Sequence, residues 1–122
     1  MKYFKLEEFR CPCGKCPVKD VTPEFQTKID QLRALLGKPI KITSGVRCDT
    51  HNFAVGGVPK SQHVLGIAAD ISTVNYSSVD KYKLVKLAIG LGFTGIGIAK
   101  SFIHLDIRPD TQAIWCYGSG EN

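Results

Sequence analysis

The run Ser61-Gln62-His63-Val64-Leu65-Gly66-Ile67-Ala68-Ala69-Asp70 constrains this chain more than any other stretch. It sets an imidazole and a carboxylate seven positions apart among small and apolar residues. One further imidazole, His104 in Phe102-Ile103-His104-Leu105-Asp106, completes a candidate set of three. Two histidines and one acid are a donor set suited to zinc with a fourth position left to solvent. A lone histidine is more often a surface or core residue than a ligand. The reading therefore rests on the order His63, Asp70, His104, each at or beside an expected strand. His51, in the loop ahead of them, is the substitute ligand.

The remainder of the chain reads as the frame. A length of 122 residues suits one domain, 1–122, with a working core. Residues 1–21 form an irregular arm with a helical turn near Leu6 to Phe9, docked through Phe4, Leu6 and Phe9. Thr22-Pro23-Glu24 starts a helix: Thr22 caps it, Pro23 takes its first position and Glu24 meets the positive end of the dipole. Phe25, Ile29, Leu32, Leu35 and Leu36 follow at helical spacing, and Gly37 and Pro39 stop the run. Residues 40–43 alternate as a strand and deliver Ser44-Gly45-Val46-Arg47. A long loop over residues 48–62, punctuated by Gly56-Gly57 and Pro59, leads into His63; loops of that length in small domains are usually functional or disordered, and the functional option is taken here.

Beyond the site stretch, residues 68–72 suit a short strand carrying Asp70. A second helix spans residues 77–91, with Val79, Tyr82, Leu84, Val85, Leu87, Ala88 and Leu91 available for its apolar face. Strands over residues 95–99 and 102–108 meet across Lys100-Ser101. In the latter, Phe102, His104, Asp106 and Arg108 share one face, and Ile103, Leu105 and Ile107 the other. An apolar inner face and a polar outer one would explain that alternation without any site. Residues 111–117 read as an edge strand, with Trp115 covering part of the core. The sum is an α+β domain: a small, mostly antiparallel sheet with two main helices packed on it.

The formal charge of +5 is scattered, with no basic run interleaved with aromatics, so a nucleic-acid partner is not expected. No apolar run reaches the ~18–20 residues that cross a bilayer, and no secretory signal opens the chain. Cytoplasmic synthesis and no membrane partner are expected, as is a monomer. Five cysteines are an odd number, so a complete set of disulfides within one chain is excluded. Cys11, Cys13 and Cys16 cluster as in zinc knuckles, and Cys48 or Cys116 could supply a fourth thiolate to pin the arm. Free thiols or one local disulfide are the alternatives.

Taken together, Ser44-Gly45-Val46-Arg47, Ser61-Gln62-His63 through Asp70, and Phe102 to Asp106 resemble the zinc D-alanyl-D-alanine carboxypeptidases. Their superfamily also holds the Hedgehog domain, vancomycin-resistance D,D-dipeptidases and phage endolysins. The Phe-x-Leu-x-Glu-Phe opening at Phe4 to Phe9 is similar to its small, single-domain, phage-associated branch. The resemblance implies that His63, Asp70 and His104 hold Zn²⁺, which activates water and polarises a carbonyl. It implies that Arg47 binds the substrate's terminal carboxylate or the developing oxyanion, and that Ser61 hydrogen-bonds substrate or a ligand. The implied activity is hydrolysis of peptidoglycan stem peptides beside a D-amino acid, after release onto the cell wall or delivery by a phage.

This chain departs from that pattern at the general base. Where many members carry an acid three positions before the last histidine, it has Ser101; where others carry a histidine two positions before, it has Phe102. Asp106 is the nearest carboxylate on the same strand face, about 6.5–7 Å along the strand from His104. It is a candidate catalytic base, and equally a group that orients His104 or pairs with Arg108. The missing acid also motivates a second reading, a zinc-containing binding or structural module without turnover.

Overall fold

Thr22 begins the first long helix as its residue type dictates. Its hydroxyl accepts the Phe25 N–H at 3.3 Å, and Pro23 occupies the first position, where no N–H is needed. The computed structural model describes residues 1–58 and 61–118; Pro59, expected to punctuate the long loop, lies outside them. Helix α1 (Pro23–Leu36) ends at Gly37, which turns left-handed at φ 69°. Phe25, Ile29, Leu32 and Leu36 form its buried stripe. Leu35 does not belong to it and is 55% exposed. At about 100° per residue, Leu35 falls roughly 90° from the middle of that stripe, toward solvent.

Two further helices follow. The six-residue α2 (Asp49–Ala54) replaces part of the expected loop. It is too short to show an apolar period, so composition hides it. In α3 (Ser78–Leu91), Ser77 and Asp80 close a reciprocal capping box. Leu84 and Ala88 are buried there, whereas Val79 and Tyr82, expected on the apolar face, point to solvent. Ahead of α1, a 3-10 turn (Leu6–Phe9) docks the arm through Phe4 and Phe9, with Leu6 half-buried. The Phe4, Phe9 and Phe25 rings meet edge to face at 5.3 and 6.3 Å.

The α+β expectation holds. Strands β1 (Ile42–Ser44), β2 (Ala68–Ser72), β3 (Gly95–Ile98), β4 (Phe102–Asp106) and β5 (Ala113–Cys116) form one sheet in the order β1-β2-β4-β3-β5. Every pairing is antiparallel except β3 with β5. The first strand begins two residues later than its alternation predicts, and β4 stops at Asp106. Ala69, Ile71, Ile96, Ile103 and Leu105 join the stripes of α1 and α3 in one apolar cluster. The opposite face carries Asp70, His104 and Asp106, all buried. That face is therefore not a solvated outer surface, and its polar residues need another explanation. Among the described residues no helix is long and apolar enough to cross a membrane.

The two leucines of α1 separate these packing roles. Leu32→Ala should destabilise the fold by about 2–5 kcal/mol. Leu35→Ala should stay within about 0.5 kcal/mol of the parent, since nothing packs around an exposed side chain. Urea unfolding of both variants measures the difference; equal costs would contradict the assigned helix face.

Candidate metal centre

The antiparallel register of β2 and β4 places Asp70 directly opposite His104, so their side chains rise together from one face. His63 arrives from the turn before β2, where its carbonyl accepts the Arg47 N–H at 3.2 Å and Ser61 Oγ accepts its own N–H at 3.2 Å. The three ligand atoms close a small triangle. His104 Nδ1 lies 3.0 Å from Asp70 Oδ1 and 3.2 Å from His63 Nε2, and His63 Nε2 lies 3.2 Å from Asp70 Oδ1. Ligands at about 2.0–2.1 Å from a tetrahedral zinc stand roughly 3.3 Å apart, close to these edges. His51 is not among the converging groups; it sits in α2, its backbone N–H directed at Cys48 Sγ.

The outer nitrogen of each ring fixes what its inner nitrogen offers. His63 Nδ1 is 2.8 Å from the Gly45 carbonyl oxygen, which only accepts, so Nδ1 carries the hydrogen. His104 Nε2 is 2.7 Å from Asp106 Oδ2 and donates to it. Both inner nitrogens of the neutral rings then present lone pairs beside a carboxylate oxygen. Three acceptors converge with no hydrogen of their own between them, which is the chemistry of a cation site. The donor set fits zinc.

Titration behaviour follows from the same contacts. Burial alone would raise the Asp70 pKa, but the His104 and His63 rings set against its Oδ1 outweigh it and hold the carboxyl well below its usual range. Burial alone would lower that of His104, yet Asp106 and Asp70 raise it. Without metal, one proton on His104 Nδ1 can serve both inner neighbours and stand in for the ion.

Asp106, the candidate base, has its carboxylate engaged on the other side of His104. Its carboxylate is fully buried on the far side of the His104 ring from Asp70. Oδ1 accepts from Arg108 N and Nε at 3.0 and 2.9 Å, and Oδ2 from Arg108 Nη2 and His104 Nε2, both at 2.7 Å. With both oxygens engaged, it orients His104 as carboxylates commonly do behind a metal-bound imidazole. Both alternatives left open by the sequence, orienting His104 and pairing with Arg108, are realised at once.

Two glycines make room for this arrangement. A Cβ at Gly95 would overlap the Asp106 carboxylate, and one at Gly97 would meet Trp115 Nε1 at 2.6 Å. The Trp115 ring lies over His104 at 5.3 Å and over the Arg108 guanidinium at 4.9 Å. It thus covers the site face, not the apolar core as expected. No signal in the one-letter sequence marks this, because β5 pairs with β3 across an intervening hairpin.

The centre opens into a cleft of about 940 Å³, walled by Phe102, Trp115 and Tyr117 on one side and by the Val55 to Val58 segment on another. Arg47 and Ser61 both line it. Arg47 Nη2 stands 3.5 Å from Asp70 Oδ2, while Nε and Nη1 donate to Ser44 Oγ and Asn52 Oδ1, both at 3.2 Å. Asn52 is itself buried and donates from Nδ2 to the Val58 carbonyl at 2.8 Å. Asn52 carries no signal in the sequence, because α2 is too short to show an apolar period. Among the described residues lining the cleft, Asp70 carries the one carboxylate.

A His-Asp-His group with braced imidazoles, beside a cleft lined by an arginine, is a donor set of the mononuclear zinc type. The chain belongs to the Peptidase M15 family, whose model matches residues 2–106. That family comprises zinc-dependent peptidases of the D-Ala-D-Ala carboxypeptidase type. The match takes in all three candidate ligands and Asp106 and leaves β5 outside it. No curated protein matches the chain.

Because a metal must displace the proton that Asp106 and Asp70 favour on His104, zinc affinity at this centre should rise with pH and level off above the raised His104 value. Asp106→Asn leaves the ring less firmly oriented and should weaken zinc binding by roughly 10–100-fold. Competition titrations across pH measure both effects; an unchanged affinity in the variant would contradict the orienting role.

Proposed function

We propose that this chain is a zinc metallopeptidase that hydrolyses peptidoglycan stem peptides next to a D-amino acid. The observation that carries the reading is the convergence of His63 Nε2, Asp70 Oδ1 and His104 Nδ1 within 3.2 Å of one another, with the Arg47 guanidinium alongside. These three side chains would hold Zn²⁺, which acts when bound as a Lewis acid that acidifies water and polarises a carbonyl.

The chain's own residues supply the rest. Arg47 is pre-positioned by Ser44 and Asn52, so little rotamer freedom is lost on contact with an anion. It can receive a terminal carboxylate or the oxyanion that develops on the attacked carbonyl. Phe102, Trp115 and Tyr117 offer an apolar wall for the small side chains of a stem peptide and exclude water from the reacting bond. Ser61 borders the same cleft but directs its oxygen to the His63 N–H, which supports a role in holding the ligand turn. The peptidoglycan substrate, the monomeric state and delivery to the wall by a phage or after release extend the family resemblance and the chain's small size.

One observation favours a second reading. With Asp106 withdrawn behind His104, the described residues that line the cleft offer no carboxylate apart from Asp70 to act as general base. A zinc-containing module that binds wall peptides without cutting them would have this appearance.

Digestion of purified peptidoglycan separates the two. The peptidase reading expects new amino or carboxyl termini that disappear with chelator; bound but uncut muropeptides would establish the module instead. Arg47→Ala should retain zinc and lower kcat/KM by roughly 10²–10³-fold if the guanidinium faces the oxyanion. A rise in KM with kcat preserved would assign it to the terminal carboxylate. No change in either constant would remove Arg47 from the site.

A further inference from the structure

The N-terminal arm holds a second group of side chains that the peptidase centre does not use. Cys11, Cys13, Cys16 and Cys48 bring their sulfur atoms within 4.8 Å of one another. Three come from a short stretch without helix or strand, and the fourth stands just past Arg47. Cys116, the other candidate for a fourth thiolate, is exposed on β5 and takes no part in the cluster.

We propose that these four cysteines bind a structural zinc ion as thiolates, tying the arm to the segment that carries Arg47. The spacing decides between a metal and a disulfide. Cys48 Sγ lies 3.8 Å from Cys11 Sγ and 3.7 Å from Cys13 Sγ. A disulfide needs about 2.05 Å. Four sulfurs at about 2.3 Å from a tetrahedral zinc stand roughly 3.8 Å apart along each edge. Both separations match that edge, and the other sulfurs lie within 4.8 Å.

The backbone is arranged for sulfur that carries charge. The Lys15 N–H points at Cys13 Sγ from 3.4 Å, the Cys48 N–H at Cys11 Sγ from 3.5 Å, and the His51 N–H at Cys48 Sγ from 3.4 Å. Gly14, left-handed at φ 69°, forms the turn between Cys13 and Cys16 that aims the first of these. Four thiolates around one divalent ion leave a net charge of −2, and the adjoining pocket is bordered by three cations, Arg10, Lys19 and Arg47, against one carboxylate, Asp49. On binding, each thiol gives its proton to solvent, so no redox partner is required.

This ion would do structural work. Residues 11–20 form turns with no regular element of their own, and a metal cross-link supplies what so short a segment cannot bury. It acts beside a contact already present, the Val46 N–H donating to the Phe9 carbonyl at 2.7 Å. Fixing both sides of residues 44–48 steadies Arg47 without touching substrate.

Metal analysis of the full chain tests the assignment independently of peptidase activity. Zinc-loaded protein should hold two ions, with one lost in Cys16→Ser and the other lost in His104→Ala. Cobalt in place of zinc should give a thiolate-to-metal charge-transfer band that His104→Ala retains and Cys16→Ser loses. Should the serine variant not fold, the parent protein still decides: a thiol reagent should modify Cys116 alone with zinc present, and all five cysteines after chelation and unfolding. Full reactivity of the four arm thiols in the zinc-loaded protein, or a disulfide among them, would overturn the proposal.

Discussion

The site depends on where two imidazole hydrogens are held. Gly45 offers His63 a carbonyl, and Asp106 offers His104 a carboxylate; both can only accept. Each ring therefore turns an unprotonated nitrogen toward Asp70, and three electron-rich atoms face one another inside a buried corner. Such a corner is electrostatically unfavourable unless a positive charge enters it. The upward pull on His104 answers that demand with a proton while the downward pull on Asp70 keeps its carboxylate ionised, and a divalent ion answers the same demand more completely.

The architecture can be understood as support for those two hydrogen bonds. The β2–β4 register aligns Asp70 with His104, while the turn at Ser61 presents His63 from outside the sheet. Asp106 requires a glycine at position 95 and a partner for its charge, which Arg108 supplies; Trp115 then packs over both Arg108 and His104. A layered chain of contacts thus runs from the edge strand to the ligand. On the other face, α1 and α3 bury the alternate residues of the same strands, so packing and chemistry are written on opposite sides of one sheet.

Legibility in the sequence followed the range of the interactions. Thr22-Pro23 and Gly37 act within one turn, and they marked α1 correctly at both ends. The alternation in β4 was equally plain, since its period is two. What failed needed tertiary knowledge. Val79 and Tyr82 are apolar enough for a core face but lie on the wrong side of α3. Helix α2 is shorter than two turns, so no period could reveal it or the role of Asn52. Asp106 is a candidate because it shares a face with His104, but the sequence alone does not choose among the metal side, the imidazole and Arg108. The one-letter code does not say on which side of a ring a carboxylate lies.

The most direct measurement is anomalous diffraction at the zinc edge from crystals of the loaded protein. A peak is expected at about 2.0–2.1 Å from His63 Nε2, an Asp70 carboxylate oxygen and His104 Nδ1, with His104 Nε2 still donating to Asp106. Zinc bound through His104 Nε2, or no zinc among these three residues, would contradict it.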